Sequence, residues 1–348
     1  MGKHARPVVL ITGSAGFMGS HLQCYLMKYY GSKYDIHGVD DLSGGFLRNI
    51  PSMGQFTKLD LRDRVKTSRY IKKLKPEIVF HLAADATEGR SQFTPHSAFD
   101  RNLTAYMNVL VPAIKSGLKK VVLVSSMSVY GKQQVPFRET LLPIPEDIYG
   151  IAKTAMEQAT KVLSSVYGFT YLVFRPHNVY GPKQNLSDPY RNVIGIFINR
   201  LLQEKKFYIY GNGQQKRAFS YIDDVIPPMA KITFENKIKN ETFNIGSDEA
   251  ITLNQLSNLI LKEYFGPRPP KTLRPIYLPS RPQEVKFAFC DHGKINHAIH
   301  CQATTKIDLG LKQTIAWARS IGPQPFNYLD EFDLDHIKIP KTWTKKIY

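Results

Sequence analysis

Three side chains have the types and spacing of an acid–base centre that acts on a hydroxyl group. Tyr149 and Lys153 are four residues apart, so on a helix they share one face. Ser126 lies 23 residues before Tyr149 and follows a short apolar run. A free tyrosine has a pKa of about 10, and a nearby ammonium group favours its phenolate form. A phenolate at Tyr149 can remove a hydroxyl proton while Ser126 hydrogen-bonds the same oxygen.

A glycine-rich turn near the start of the chain predicts the second reactant. Gly13, Gly16 and Gly19 follow one apolar run and open a helical pattern. This spacing lets the backbone approach a pyrophosphate, to which the helix amides then donate. Asp40 ends the next predicted strand, where it can bind the adenosine ribose hydroxyls and repel a 2′-phosphate. The sequence therefore predicts NAD as cofactor, with further contacts from Phe17, Met18, Asp60, Leu61, Leu82, Ala83 and Ala84, in addition to Tyr149 and Lys153.

Short apolar runs alternate with amphipathic stretches through the first half of the chain. The patterns predict strands at residues 8–11, 34–39, 77–82, 121–124 and 169–174, and helices at residues 17–30, 97–116 and 149–167. This alternation is typical of a Rossmann-type, doubly wound parallel sheet in an α/β fold. Pro112 is expected to bend the second helix. Both later helices have apolar positions beyond one narrow face, which fits either a homodimer bundle or burial within one subunit.

The pattern loosens after residue 181 and prolines become frequent between residues 267 and 282. We therefore expect an NAD-binding domain at residues 1–180, to which residues 215–245 return. A smaller α/β substrate-binding lobe is expected at residues 181–214 and 246–326. Residues 327–348 are expected to form a C-terminal tail without assigned chemistry.

Composition narrows the function classes further. The formal net charge is +18, but the lysines are scattered in short groups, so a solvated surface and a cleft for an anionic substrate are favoured over nucleic-acid binding. No apolar run reaches the roughly 18–20 residues that cross a bilayer, and we expect a cytoplasmic protein. We expect no metal site, because the spacing of the clustered cysteines and histidines matches no known zinc finger. These residues are Cys290, Cys301, His292, His297 and His300.

These motifs together resemble those of extended short-chain dehydrogenase/reductases, within the sugar-nucleotide epimerase/dehydratase family. The resemblance runs from about Val8 to Trp317 and includes residues 81–84, 125–131, 175–182, 210–213, 217–224 and 281–285. It implies that Asn178 donates to the diphosphate of a nucleotide sugar. It also implies that Arg217 and Arg281 clamp the diphosphate and ribose, and that Asn192 and Val193 contact uracil.

The residues after Ser126 separate the branches of that family. Dehydratase relatives carry an Asp-Glu pair there, and decarboxylating relatives keep the glutamate, whereas this chain has Met127 and Ser128. The resemblance therefore implies 4-epimerisation of a UDP-hexose through a 4-keto sugar, with UDP-glucose and UDP-galactose as expected substrates. Ala288 is expected to leave room for an N-acetyl group, and Glu88 either disfavours a uronic acid or is simply exposed. A net 4-dehydrogenase or 4-ketoreductase, an epimerase of UDP-glucuronate or another nucleotide sugar, and an idle nucleotide-binding protein remain as alternatives.

Overall fold

The computed structural model describes residues 6–234, 237–280, 286–299, 303–335 and 337–348. Its strands are β1 (Val8–Thr12), β2 (Asp35–Asp40), β3 (Gln55–Lys58), β4 (Ile78–His81), β5 (Lys120–Val124), β6 (Thr170–Pro176), β7 (Val179–Tyr180), β8 (Tyr208–Tyr210), β9 (Lys216–Ala218), β10 (Ser220–Tyr221), β11 (Glu241–Ile245), β12 (Ala250–Thr252), β13 (Ile276–Leu278) and β14 (Phe287–Ala288).

The main sheet is parallel throughout its described strands and has the order β11-β6-β5-β4-β1-β2-β3. The chain winds outwards from β1 in one direction and then from β4 in the other. The strand order therefore reverses between β1 and β4, and loops leaving the two strands diverge to opposite faces. In such sheets a crevice opens at the carboxyl ends of the strands at this point. The predicted Rossmann-type fold is confirmed.

The helices are α1 (Phe17–Tyr30), α2 (Arg64–Leu74), α3 (Glu88–Ser91), α4 (Pro95–Phe99), α5 (Ala105–Lys115), α6 (Ile148–Tyr167), α7 (Val193–Leu202), α8 (Ile226–Phe234), α9 (Leu253–Phe265), α10 (Gly293–Ile299), α11 (Ile307–Ile321) and α12 (Lys341–Thr344). Short 3₁₀ turns lie at Leu47–Asn49, Met127–Tyr130, Ile222–Asp224 and Lys271–Leu273. The helix predicted at residues 97–116 begins earlier and contains a π-helical turn at Asp100–Thr104 that sequence periodicity does not reveal.

The strands of the main sheet are apolar on both faces because helices cover both faces. Val9 and Ile11 pack on the side of α1, whereas Leu10 points to the opposite side and packs with residues of α2 and α5. This alternation follows from the two-residue period of a strand. It explains why β1 is a continuous apolar run rather than an alternating one.

The smaller sheets lie outside the main one. β9 pairs with β12 and β14, β8 pairs with β13, and β7 pairs with β10. Residues 215–245, which were expected to return to the larger domain, are divided between two sheets. β11 extends the main sheet, whereas β9 belongs to a small sheet. The described residues of the expected C-terminal tail pack against the rest of the fold. They include Trp343, which is only 2% exposed and packs against Phe93 and Tyr190.

Candidate active site

The glycine turn between β1 and α1 has a backbone that requires glycine. Gly13 has a φ of +71°, and a Cβ atom there would lie 2.7 Å from the amide nitrogen of Ala83. A Cβ atom on Gly19 would overlap the carbonyl oxygen of Gly13. The two loops thus meet backbone to backbone, with the first turn of α1 facing the crevice. This cradle fits the pyrophosphate of a dinucleotide.

Asp40 lies at the end of β2 and contacts the same turn. Its carboxylate accepts hydrogen bonds from the amides of Ala15 at 3.1 Å and Leu42 at 2.7 Å. Burial raises the pKa of Asp40, and these donors oppose that rise. Asp40 therefore holds the glycine turn in shape, a role that sequence reasoning did not assign to it, and it also lines the cleft.

The other predicted cofactor residues line the same cleft, which has a volume of about 740 Å³. Asp60 is paired with Arg62 at 2.7 Å, and Leu61 beside it is buried. The loop after β4 is fixed by Thr12, whose hydroxyl accepts hydrogen bonds from the amides of Leu82 and Ala83, both at 3.2 Å. The cleft lining also includes Phe17, Met18 and Ala84.

Tyr149 is placed by the start of α6. The side chain of Asp147 caps this helix by accepting from the amide of Gly150 at 2.7 Å, and it also accepts from the hydroxyl of Ser128 at 2.6 Å. Ser126 follows β5, and its hydroxyl accepts from the amide of Ser128 at 3.1 Å. One short network thus joins the end of β5 to the start of α6.

The three predicted catalytic side chains come together in the cleft. The hydroxyl of Ser126 lies near that of Tyr149 and lowers the pKa of Tyr149 in part. Lys153 lies one turn further along α6, with its Nζ atom 5.7 Å from the centre of the Tyr149 ring. Nζ donates to the carbonyl oxygen of Val124 at 2.9 Å, which fixes the amine beneath the ring.

The electrostatics differ from the sequence-based expectation. Burial, reinforced by the charge of Glu88, raises the pKa of Tyr149. Burial also lowers the pKa of Lys153 to about 7, against the opposing influence of Glu157. The surrounding protein therefore does not produce a phenolate by itself. Both groups lie in a desolvated site that penalises charge, so the phenolate expected from the sequence depends on the positive nicotinamide ring as well as on Lys153.

A buried ion pair supports this centre from below. Glu157, on α6, receives two hydrogen bonds from the guanidinium of Arg175, at 2.9 and 2.6 Å. The hydroxyl of Ser125 donates to the same carboxylate at 2.6 Å. Ser125 precedes Ser126, and Glu157 lies one turn after Lys153 on α6. The contacts of Glu157 therefore fix both the end of β5, which carries Ser126, and the part of α6 that carries Lys153.

The predicted substrate residues lie across the cleft from the glycine turn. Asn178 has a φ of +39° and donates to the carbonyl oxygen of Ala218 at 2.9 Å. Asn192 precedes α7 and donates to the carbonyl oxygen of Val179 at 2.8 Å. Along with Val193 and Arg217, both line the cleft. Arg281 lies outside the residues that the structure describes.

Two charged residues of the cleft were not identified as site residues by sequence reasoning. Glu88 begins α3 and faces the open cleft, yet the surrounding protein desolvates it enough to raise its pKa to about 7, with a further contribution from Asp147. Arg191 donates to the carbonyl oxygen of Ala86 at 3.0 Å and lowers the pKa of Tyr149 in part. Glu88 begins a four-residue helix and Arg191 lies in a loop, and no spacing rule marks either position as functional.

Other sequence-based calls have different outcomes. Ala288 is buried with Val129, Tyr130, Phe137 and Cys290, a position that does not favour its predicted contact with the sugar. Among the described residues, no group of three or more histidine, cysteine or acidic side chains could hold a metal ion. His300 and Cys301 lie outside those residues. No helix within the described ranges is long and apolar enough to span a membrane.

A sequence model of the NAD dependent epimerase/dehydratase family matches residues 9–246, which include the glycine turn and all three catalytic candidates. The chain belongs to this family. Its members depend on NAD, in agreement with the cradle formed by the glycine turn.

Individual relatives of the same family cover nearly the whole chain. A putative UDP-glucose 4-epimerase of Methanocaldococcus jannaschii is 32% identical over 90% of this chain and 99% of its own length. The UDP-glucuronate 4-epimerase of Thermodesulfobacterium geofontis is 29% identical over 89% and 95%. The structure of UDP-glucose 4-epimerase from Thermotoga maritima with UDP-glucose superposes with a TM-score of 0.81, at 33% identity over 90% of this chain and 99% of that one. These three relatives are all named for UDP-sugars but differ in the sugar.

Proposed function

We propose that this protein is an NAD-dependent UDP-hexose 4-epimerase. The observation that carries the proposal is the convergence of Ser126, Tyr149 and Lys153 on one cleft in which Met127 and Ser128 replace the acid pair of a dehydratase. The hydroxyl of Ser128 donates a hydrogen bond to the carboxylate of Asp147 and thereby stabilises the N-terminal cap of α6. No additional carboxyl group therefore follows Ser126 to eliminate water from the sugar.

The proposed residues divide the chemistry between them. NAD, when bound, supplies the hydride acceptor and donor together with the positive charge of its oxidised ring. Tyr149 moves the proton of the sugar 4-hydroxyl, and Ser126 hydrogen-bonds the same oxygen. Because the protein raises the pKa of Tyr149, this residue keeps its proton until positive charge lies beside it. The positive charge of the oxidised ring would oppose this rise in pKa and favour the phenolate form of Tyr149, which accepts the proton.

The remaining cleft residues are proposed to position the two ligands. Gly13, Gly16 and Gly19 hold the pyrophosphate of NAD, and Asp40 and the segment at residues 60–61 contact its adenosine half. Asn178 and Arg217 bind the diphosphate of the substrate, with Arg281 as a further candidate. Asn192 and Val193 contact its base.

UDP-glucose and UDP-galactose are the proposed substrates, with the corresponding N-acetylhexosamines as additional candidates. UDP-glucuronate is the second candidate, because Arg191 supplies a cation to the part of the cleft that contains Tyr149 and a relative epimerises that sugar. Glu88 faces the same region, and its ionised form repels a sugar carboxylate, which favours the neutral hexose above the pKa of about 7. A net dehydrogenase or ketoreductase would use the same side chains with exchangeable cofactor.

Product analysis by NMR tests the proposal. Purified protein is incubated with UDP-glucose, UDP-N-acetylglucosamine or UDP-glucuronate, without added NAD. Appearance of the C4 epimer supports the proposal and identifies the sugar. Formation of a product only with stoichiometric NAD or NADH would instead indicate a net oxidoreductase.

Replacing Tyr149 by phenylalanine tests the catalytic assignment. Removal of the proton-transferring hydroxyl is expected to lower kcat by a factor of about 10²–10⁴ while bound NAD is retained. Tyr167→Phe is the matched control, because Tyr167 ends the same helix and is 61% exposed. Unchanged turnover in Tyr149→Phe would contradict the proposed role.

We also propose a homodimer formed through α5 and α6. These helices expose apolar side chains at Val111, Ile151, Val162 and Val166. Light scattering of the purified protein, compared with that of Val162→Asp, tests the proposal. A dimer that is lost in the variant supports it, and a monomer in the unaltered protein contradicts it.

A further inference from the structure

The last part of the chain forms a strap across both lobes of the cleft. We define the C-terminal strap as residues 326–335 and 337–348. Trp343 anchors it, with its ring centre 5.2 Å from that of Tyr190 and 6.5 Å from that of Phe93. The carboxylate of Asp333 accepts from the amide of His96 at 2.9 Å. The strap therefore contacts the 93–96 loop of the larger lobe and the 190 loop of the smaller one.

Part of the strap lines the cleft itself. Asn327, Tyr328, Leu329 and Tyr348 are all cleft-lining residues, in the cleft that contains Tyr149. The amide of Leu329 donates to the hydroxyl of Tyr190 at 2.8 Å, which holds this part of the strap against the wall. The strap is consequently a wall of the binding site rather than a distant surface feature.

Aromatic rings are concentrated where the strap meets β8. The ring of Tyr348 lies 5.6 Å from that of Tyr208 and 5.5 Å from that of Phe326. The hydroxyl of Tyr328 accepts from the amide of Tyr348 at 2.8 Å, which fixes the backbone beside the ring. Arg200 is buried behind this cluster, 5.7 Å from the Tyr208 ring. Tyr208, Tyr328 and Tyr348 are each half-buried and each face the cleft.

Aromatic side chains that face a cleft can stack on the planar base of a nucleotide sugar. The sugar that reacts must lie at Ser126 and Tyr149, both in the larger lobe, whereas the aromatic cluster is built on β8 and the strap. A UDP-sugar is long enough to have its base far from its reacting carbon. Stacking of a base on an aromatic side chain contributes about 1–3 kcal/mol, and it depends on the π-face of the ring.

We propose that Tyr348, held by Tyr328 and Tyr208, stacks on the base of the substrate nucleotide, so that the C-terminal strap completes the base subsite. This inference rests on the proposed function. It adds a binding residue from a segment in which sequence patterns indicated no chemistry.

Calorimetric titration of the NAD-loaded protein with UDP tests the proposal without requiring turnover. Tyr348→Ala and Tyr348→Leu both remove the planar ring, and the leucine variant retains apolar volume for packing. Both are expected to weaken UDP binding by about 5- to 100-fold. Tyr348→Phe keeps the ring and is expected to bind UDP like the unaltered protein. Tyr167→Ala, which removes an exposed ring from the end of α6, is the control.

Salt separates stacking from an indirect effect on the diphosphate site. Contacts to phosphate weaken as salt screens them, whereas the loss caused by removing a stacked ring is expected to stay the same between 50 and 300 mM salt, about a factor of two in Debye length. Equal UDP affinity in all the variants would overturn the inference, and so would a loss that disappears at high salt. Tighter binding by Tyr348→Ala would overturn it by showing that the strap obstructs the cleft. Absence of UDP binding by the unaltered protein would overturn the proposed function as well.

Discussion

The two sides of the cleft are built in different ways. The side proposed to bind the cofactor, here called the cofactor side, is made largely of backbone at the carboxyl ends of β1, β2 and β4 in one continuous sheet. The substrate side is made of side chains from separate segments, including β9, the start of α7 and the C-terminal strap. A backbone cradle leaves a glycine pattern in the sequence, whereas a wall of side chains assembled over long distances leaves no regular spacing.

The difference also means that substitutions on the two sides change different things. Substituting residues on the cofactor side forces atoms of two loops into each other, as at Gly13 and Ala83. Substituting residues on the substrate side changes a contact while the fold remains. We therefore expect effects of different kind and size on the two sides.

Gly19→Ala is expected to have the largest effect on activity, because the protein loses its cofactor. Its Cβ atom would overlap the carbonyl oxygen of Gly13, so the turn must move and the cradle is lost. Overpacking of this kind costs about 1–3 kcal/mol, and here the displaced atoms are the ones that would hold the pyrophosphate. We expect loss of copurifying NAD and of activity, measured by releasing the cofactor with acid and assaying it. Full NAD occupancy in this variant would remove the proposed distinction between the two sides.

Glu157→Gln is expected to come next. It leaves the guanidinium of Arg175 buried without a charged partner, and breaking one member of such a pair costs about 3–5 kcal/mol. Urea unfolding measures the loss. Ser125→Ala is the comparison variant, since it removes only one hydrogen bond to the same carboxylate and is expected to cost about 1 kcal/mol. Equal losses in the two variants would indicate that the ion pair contributes little.

Arg217→Ala is expected to act on the substrate side alone. Loss of a charge-assisted contact to phosphate is expected to raise KM for the UDP-sugar by about 10- to 100-fold, equivalent to about 1.5–3 kcal/mol. Bound NAD is expected to remain, in contrast to Gly19→Ala. Steady-state kinetics combined with cofactor release measures both quantities. A fall in NAD occupancy would show that the two sides are not independent.

Glu88→Gln is expected to have the smallest effect, seen as a change with pH. The folded protein raises the pKa of Glu88 from 4.5 to about 7, so the folded state binds the proton more tightly than the unfolded state. The contribution of neutral Glu88 to stability is therefore full below pH 4.5 and is lost as the pH rises to about 7. Urea unfolding without added ligand should show the unaltered protein losing stability relative to Glu88→Gln across this window. A constant difference between pH 4.5 and 7.5 would contradict the assigned shift.

Sequence reasoning was most successful where the signal is local. The helix predicted at residues 17–30 is found at Phe17–Tyr30, because a glycine turn and a helical apolar repeat define it from within. The spacing of Tyr149 and Lys153 likewise follows from one turn of α6. The rise that burial and the charge of Glu88 impose on the pKa of Tyr149 could not be predicted from the sequence, since both depend on segments that only the fold brings together.

The C-terminal strap shows the opposite case. Its acidic and basic residues are typical of an exposed tail, and its anchor gives no periodic pattern. Trp343 is buried because its partners are Phe93 and Tyr190, which are more than 150 residues earlier in the chain. No local rule connects these positions. The packing had to be known before the strap could be recognised as part of the binding site.

The pairing of β7 with β10 bears on how the protein can move. The chain passes from the main sheet to the smaller sheets after β6, comes back before α8, and leaves again after β11. Two of the connecting segments contain β7 and β10, and these two strands are hydrogen-bonded to each other. A hinge consists of a few residues whose backbone angles can change to allow a rotation of the lobes. Hydrogen bonds between two connecting segments restrict such a rotation. Ligand entry is therefore expected to depend on displacement of surface loops rather than on rotation of the two lobes, and the proposed 4-keto sugar would rotate in a cleft of constant width.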